Sequence, residues 1–136
     1  MKFPLVLCLL LFCSTGQAIV YHVKVRTSSY AHADTDANVW IKIHGNNGVT
    51  DQIQLHDPTR DDFEKNSEDD FTVEGRDVGR VKGVEIYRDT SGWGDGWHLE
   101  SIGIKKGDQP GYRQFMYSYW VDADRWIPIP QNLHQL

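Results

Sequence analysis

Carboxylates are concentrated in three short polar stretches of the 136-residue sequence: AHADTDAN at 31–38, HDPTRDDFE at 56–64 and GDG at 94–96. Calcium is a hard cation that takes roughly 6–8 oxygen ligands from carboxylates, carbonyls and water. Aspartates supply carboxylates, and neighbouring glycines leave backbone carbonyls free to turn inward. Aspartate-rich stretches are also typical of solvated turns, and none of the three has the ordered spacing of an EF-hand loop. The residues alone therefore leave two interpretations open, a calcium site or ordinary solvated turns.

Short runs of alternating apolar and polar residues separate these stretches. In IVYHVKVR (19–26), Val23 and Val25 alternate with polar residues, and NVWIKIH (38–44) repeats the pattern. A period of two over a short run predicts a half-buried strand. Further strands are predicted at 52–55, 70–74, 81–87, 97–105 and 112–120. Seven or eight short strands separated by turns predict an all-β antiparallel sandwich, whose loops cluster at its two ends. The three acidic stretches could meet at one of those ends.

The N-terminal stretch MKFPLVLCLLLFCSTGQA (1–18) has an early lysine, an apolar run and small residues at Gly16 and Ala18. This pattern is typical of a secretory signal peptide cleaved after Ala18. A membrane anchor is the alternative, but the apolar run is shorter than the roughly 20 residues of a spanning helix. We therefore expect a secreted protein in which residues 19–136 form a single domain. Cys8 and Cys13 both lie in the signal peptide, which excludes thiolate chemistry from the mature chain.

The charge and the histidine pattern restrict the function classes. A net charge of −5 makes the chain a poor non-specific partner for nucleic acid, and we expect none to bind. The six histidines include no H-E-x-x-H pair, and no G-x-S-x-G nucleophile elbow is present. We therefore predict that the protein is not an enzyme.

Three segments together resemble the PLAT domain family, also called LH2 or lipoxygenase homology domains. ADTDANVWIKIHGNNG (33–48) is similar to the family pattern G-T-D-A-N-V-x-I-x-L-x-G. The segment 63–105 contains counterparts of F-E-x-G-x-x-D-x-F, L-G-x-L-x-x-I-x-I and G-W-x-L-x-x-I, and YSYWVDADRWI (117–127) resembles the closing strand. The resemblance covers nearly the whole mature chain in order. It implies an eight-stranded β-sandwich and a non-catalytic role in binding membranes or proteins, often with calcium.

The resemblance also implies which residues hold calcium. The family positions fall on Thr35 and Asp36 in the first loop, with the carbonyl of Asp34 as a further ligand, and on Asp95 and the carbonyl of Gly96 in the third. In the second loop they fall on Asp57, Asp61, Asp62 and Glu64. The chain departs from the family at Asp34, where relatives often have glycine, and at His32, where one branch has an acidic ligand.

Four aromatic residues near these loops have two distinct predicted roles. Trp97 opens a strand and matches the tryptophan of G-W-x-L, so we expect it in the core. Trp93 lies in the loop between Gly92 and Gly94, and Tyr30 and Trp126 match positions where relatives carry exposed aromatics. Tryptophan and tyrosine favour the membrane interface, so these three are predicted contacts with a membrane or partner, although Trp93 could instead fold onto its own loop.

The sequence thus predicts a secreted, monomeric, non-catalytic PLAT domain that binds calcium and, through it, a lipid membrane surface or a secreted partner protein. The alternative is a calcium-independent protein-interaction module, such as an inhibitor or a targeting subunit of another secreted protein.

Overall fold

The computed structural model describes residues 17–92 and 96–130. These residues form nine strands, in chain order β1 Ala18–Thr27, β2 Val39–Gly45, β3 Gly48–Val49, β4 Ile53–Gln54, β5 Glu68–Arg76, β6 Val81–Arg88, β7 His98–Lys106, β8 Arg113–Trp120 and β9 Ile127–Pro130. The described part of the chain contains no helix with the length and apolar character needed to cross a membrane.

The strands form two antiparallel sheets that face each other. The first sheet has the order β5-β1-β7-β8, and the second has the order β3-β2-β6-β9, with β4 also paired to β2. Strands β3 and β4 are two pieces of one edge strand, interrupted at residues 50–52. At the interruption the Thr50 hydroxyl accepts a hydrogen bond from the Ile43 amide at 3.0 Å. Counted in this way, the fold is the predicted eight-stranded β-sandwich.

Alternating side chains from both sheets form one hydrophobic core. On β1, Val23 and Val25 are buried while Lys24 and Arg26 lie on the outer face, as the alternation predicts. The fully buried large side chains come from strands of both sheets and from the connections: Trp97, Tyr21, Phe115, Ile41, Ile43, Leu55, Ile86, Leu99 and Ile102. This core makes the sandwich a rigid frame on which the connecting loops are fixed.

The C-terminal part of the sandwich differs from the sequence prediction. The segment that resembled a closing strand is divided by a connection at residues 121–126, and a further strand, β9, follows it. Asp124 adopts a left-handed backbone conformation with φ 58°, and its amide bonds the carbonyl of Arg88 at 2.8 Å. The prolines of β9 lie at a sheet edge, where their missing N–H groups interrupt no ladder.

The connections fall at two ends of the sandwich. We call the end where β1, β4, β6 and β8 finish the loop end; its connections are 28–38, 55–67, 89–97 and 121–126. We call the opposite end the hairpin end; its connections are 46–47, 77–80 and 107–112. All three predicted acidic loops are connections of the loop end, although residues 93–95 lie outside the described ranges. Of the predicted signal peptide, residues 1–16 also lie outside those ranges, and Ala18 is the first residue of β1.

Candidate functional site

The first acidic loop is held between the other two by backbone hydrogen bonds. The amide of Thr35 bonds the carbonyl of Phe63 in the second loop at 3.1 Å, and the amide of His98 bonds the carbonyl of Ala33 at 3.0 Å. Thr35 is buried, and its hydroxyl accepts a hydrogen bond from the amide of Ala37 at 3.1 Å. The loop is therefore pinned in the middle of the loop end, with Asp34 and Asp36 on either side of the buried Thr35.

Four of the predicted ligands, from two different loops, contribute negative charge at the loop end. Burial first, and then the carboxylates of Asp34, Asp61, Asp36 and Asp69, raise the pKa of Glu64. Asp34 is half-buried, whereas Asp36, Asp61 and Glu64 are exposed. Because like charges oppose one another's ionisation, this group of carboxylates would favour a bound cation.

Two other predicted ligands, Asp57 and Asp62, lie against a cation of the protein itself. The guanidinium of Arg60 lies 3.1 Å from Asp57 and 3.0 Å from Asp62. Asp62 also accepts a hydrogen bond from the amide of Asp57 at 3.0 Å, and hydrogen bonds from Thr59 lower the pKa of Asp57. The same guanidinium approaches Asp69 at 3.4 Å. These contacts brace the second loop, a role that the sequence analysis did not assign to Arg60 or Asp69.

The third loop packs directly against the first. A Cβ on Gly92 would lie 2.7 Å from the Cβ of Asp36, and Gly92 has a φ of 86°, so this position requires glycine. Asp89, at the start of the loop, accepts hydrogen bonds at 3.0 Å from both the backbone and the side-chain nitrogen of Asn38. Gly96, whose carbonyl is a predicted ligand, lies against the ring of Trp120, where an added Cβ would be 2.9 Å from the ring; Asp95 lies outside the described residues.

Among residues 17–92 and 96–130, no three His, Cys, Asp or Glu side chains are arranged as a ready-made metal site. The donor set nevertheless has the chemistry that calcium prefers, since Asp34, Asp36, Asp61 and Glu64 supply oxygen donors and none of the ion pairs within the described residues involves them. The assignment of calcium ligands stays a prediction.

The loop end also carries an exposed aromatic cluster. Tyr30 is 63% exposed, and its ring lies edge-on to His98 with centroids 4.5 Å apart. Trp120, at the end of β8, is 47% exposed, and its ring lies perpendicular to the same His98 ring with centroids 5.0 Å apart. His98 is buried and shares a 2.6 Å hydrogen bond with Ser28. We call Tyr30, His98 and Trp120 the aromatic cluster; the exposed aromatic run at the end of β8 was the sequence signal for Trp120.

The remaining predicted aromatics occupy different positions. Trp97 is fully buried and donates a hydrogen bond to the Thr27 hydroxyl at 3.0 Å, in agreement with its predicted place in the core. Trp126 is half-buried on the outer face of the second sheet, 5.2 Å from the ring of Tyr87 and under the ammonium of Lys42 at 4.2 Å. Trp93 lies outside the described residues.

Comparison with known proteins gives consistent results. The model of the PLAT/LH2 domain family matches residues 21–128. The chain is 35% identical over 112 residues to the allene oxide synthase-lipoxygenase protein of Plexaura homomalla, covering 80% of this chain and 10% of that protein. It is 35% identical over 111 residues to human lipoxygenase homology domain-containing protein 1, covering 82% of this chain and 5% of that protein. The chain thus spans a tenth or less of the length of these curated relatives.

Solved structures show the same architecture. A coral 8R-lipoxygenase, described as activated by calcium through a C2-like domain, superposes with a TM-score of 0.74 at 31% identity, over 82% of this chain and 16% of that one. The alpha toxin of Clostridium absonum superposes with a TM-score of 0.66 at 21% identity, over 81% of this chain and 30% of that one. The second likeness concerns the fold alone.

Proposed function

Because this chain belongs to the PLAT/LH2 domain family, we propose that it is a secreted, non-catalytic binding module whose loop end takes up calcium and then docks on a lipid membrane surface. The observation that supports this most strongly is the hydrogen bond from Thr35 to Phe63, which fixes the first acidic loop beside the second, together with the pKa of Glu64, which burial and carboxylates of both loops raise. The coral lipoxygenase with calcium activation through a C2-like domain adds support from a relative of the same fold.

In this proposal, calcium controls membrane docking by changing the charge of the loop end. Without a cation, the clustered carboxylates repel anionic headgroups and resist transfer out of water. A bound calcium ion would neutralise part of this charge, held by the side chains of Asp36, Asp61 and Glu64 with the carbonyl of Asp34. The loop end would then present the exposed rings of Tyr30 and Trp120, which suit the boundary between headgroups and hydrocarbon.

The test uses the double variant Asp36→Asn with Asp61→Asn. We expect calcium affinity, measured by calorimetry, to fall at least about tenfold, because calcium affinity depends on the number of charged ligands. Calcium should raise the thermal midpoint of the parent protein and not of the variant, since a ligand that binds only the folded state stabilises it. Vesicles of phosphatidylcholine and phosphatidylserine should sediment the parent protein with calcium and not with a chelator.

The matched control is Asp51→Asn with Asp108→Asn, which removes the same charge from two exposed positions away from the loop end. This control should keep both calcium binding and sedimentation. Equal loss in the control and the test variant would contradict a local site and leave only a general effect of net charge.

A second candidate function, calcium-independent protein docking, is favoured by the edge strand β8. Met116 is 42% exposed and Tyr119 is 67% exposed on this strand, which forms one edge of the first sheet. Exposed apolar side chains on an open edge are typical of protein interaction sites. In the vesicle experiment this candidate predicts no sedimentation, together with capture of a secreted partner that persists in the chelator.

A further inference from the structure

We propose that a cleft at the hairpin end binds a phosphate group carried on a compact apolar molecule. This site lies at the opposite end of the sandwich from the calcium site proposed above and does not depend on it.

The cleft has a volume of about 550 Å³ and opens between the β5–β6 connection and the β7–β8 hairpin. Its lining combines three cationic side chains with apolar ones: Arg80, Lys106, Arg113, Val81, Ile104 and Tyr112. The ring of Tyr112 also lies under two ammonium groups, 4.6 Å from Lys24 and 5.7 Å from Lys105. The carboxylates of this region are Asp108, in the β7–β8 hairpin, Asp77, which faces Lys106, and Glu68 and Asp70, which face Lys24.

Within the described residues, two of the three cations in the cleft have no carboxylate partner. Lys106 is satisfied, because it lies 2.7 Å from Asp77 and donates to the carbonyl of Gly79 at 3.0 Å. Across residues 17–92 and 96–130, no carboxylate lies within 4.0 Å of the guanidinium of Arg80 or Arg113. Outside the described residues, the sequence contains one acidic side chain, that of Asp95.

The guanidinium groups of Arg80 and Arg113, which have no carboxylate partner within the described residues, indicate the chemistry of the ligand. A phosphomonoester carries about −1.5 to −2 charges at neutral pH, which matches the two unbalanced positive charges. The planar guanidinium presents parallel N–H donors that fit phosphate oxygens in a bidentate arrangement. The half-buried ring of Tyr112 provides the main contact for a hydrocarbon group attached to the phosphate, since Val81 and Ile104 are only 4% and 2% exposed. Both a lipid headgroup and a small phosphate ester have this chemistry.

The test compares three soluble probes in the presence of a chelator: dihexanoyl phosphatidic acid, glycerol 3-phosphate and dihexanoyl phosphatidylcholine, the last of which has no phosphomonoester. Titration calorimetry or amide chemical shifts would measure binding to the full chain and to the variant Arg80→Gln with Arg113→Gln. We expect phosphatidic acid to bind, phosphatidylcholine not to bind, and the variant to lose at least about tenfold in affinity, because it loses the charge-assisted hydrogen bonds.

A matched control variant, Lys65→Gln with Arg125→Gln, removes the same charge from the loop end and should bind as the parent does. Preference for phosphatidic acid would support a ligand with an apolar group, whereas equal binding of glycerol 3-phosphate would show that the phosphate alone is recognised and would overturn the apolar part of the proposal. Failure of both probes to bind, or equal losses in the two variants, would overturn the proposal. Calcium binding should be unchanged in Arg80→Gln with Arg113→Gln, so this result is separate from the proposed function.

Discussion

Arg60 is the residue on which the second acidic loop depends most. Its guanidinium lies near Asp57, Asp62 and Asp69, and the side chains of the last two are only 7% exposed. Removing one partner of a buried ion pair leaves an uncompensated charge. Because Arg60 is itself one-third exposed, we expect Arg60→Gln to lower the free energy of unfolding by about 2 kcal/mol, less than for a fully buried pair. Urea denaturation should show a lower midpoint with an unchanged slope.

The control for this prediction is Arg125→Gln at the same end of the molecule. Its partner Asp122 lies 3.9 Å away, and both side chains are about two-thirds exposed. An exposed pair of this kind contributes little, so the midpoint should stay within the experimental error. If the midpoint of Arg60→Gln also stayed within the experimental error of the parent, the prediction would be wrong, because solvent would then replace the guanidinium without loss of stability.

The same residues show how far side-chain identity predicts a site. Residue types and family resemblance predicted calcium ligands at Asp34, Asp36, Asp61 and Glu64. Burial and the charges of the other three carboxylates raise the pKa of Glu64, and the role of all four as ligands stays a prediction. Asp57 and Asp62 have the same chemistry and lie in the same stretch, yet they face Arg60. That difference depends on how the loop folds back on the start of β5, which no short spacing encodes. The arginine inside HDPTRDDFE was the available signal.

At the scale of elements, the packing of the third loop against the first should control calcium affinity. A Cβ on Gly92 would lie 2.8 Å from the carbonyl carbon and oxygen of Asp36, and the glycine has a φ of 86°. We therefore expect Gly92→Ala to separate the two loops and weaken calcium binding about tenfold, since a ligand displaced by an ångström contributes little. Calorimetry with calcium measures this directly.

Gly111 provides a matched control for that substitution. It has a similar φ of 81°, but a Cβ there would have nothing within 4 Å. Gly111→Ala therefore introduces the same left-handed strain, worth about 1–2 kcal/mol of stability, without the steric contact. Both variants should be destabilised, and only Gly92→Ala should lose calcium affinity. Parallel losses of affinity would mean that backbone strain, not loop packing, is responsible.

Elements were predictable where one face of a strand is buried. The period-two pattern located β1, β2, β6, β7 and β8 to within one residue or two at either end, because alternate side chains enter the core. The short edge strand β9 was missed, since IPIP reads as a proline-rich tail, and β5 extends two residues further at each end than predicted. The order of strands in each sheet depends on pairings between distant segments, which a local pattern does not specify.

The two ends of the sandwich carry different functional groups. The loop end carries the clustered carboxylates and the aromatic cluster, whereas the hairpin end carries the cationic cleft. A net charge of −5 hides this separation, which arises because the antiparallel strands bring alternate connections to the same end. A calcium-loaded loop end docked on a membrane would leave the cleft facing away from that membrane, open to a soluble ligand.

Secretion remains a prediction about the whole chain, and it can be tested at the N-terminus. The short apolar run after Lys2 and the small residues Gly16 and Ala18 predict cleavage after Ala18. Cleavage there removes one residue pair of β1, Ala18 with Arg76, and keeps the following pairs from Ile19 onward, so the sandwich should fold normally.

Expression of the full sequence in secreting cells should release a protein that begins at Ile19, as read by intact mass and N-terminal sequencing of the medium. Retention of a chain beginning at Met1 in the membrane fraction would instead support an anchor. Replacing Gly16 and Ala18 with larger residues should block processing and leave the precursor inside the cell.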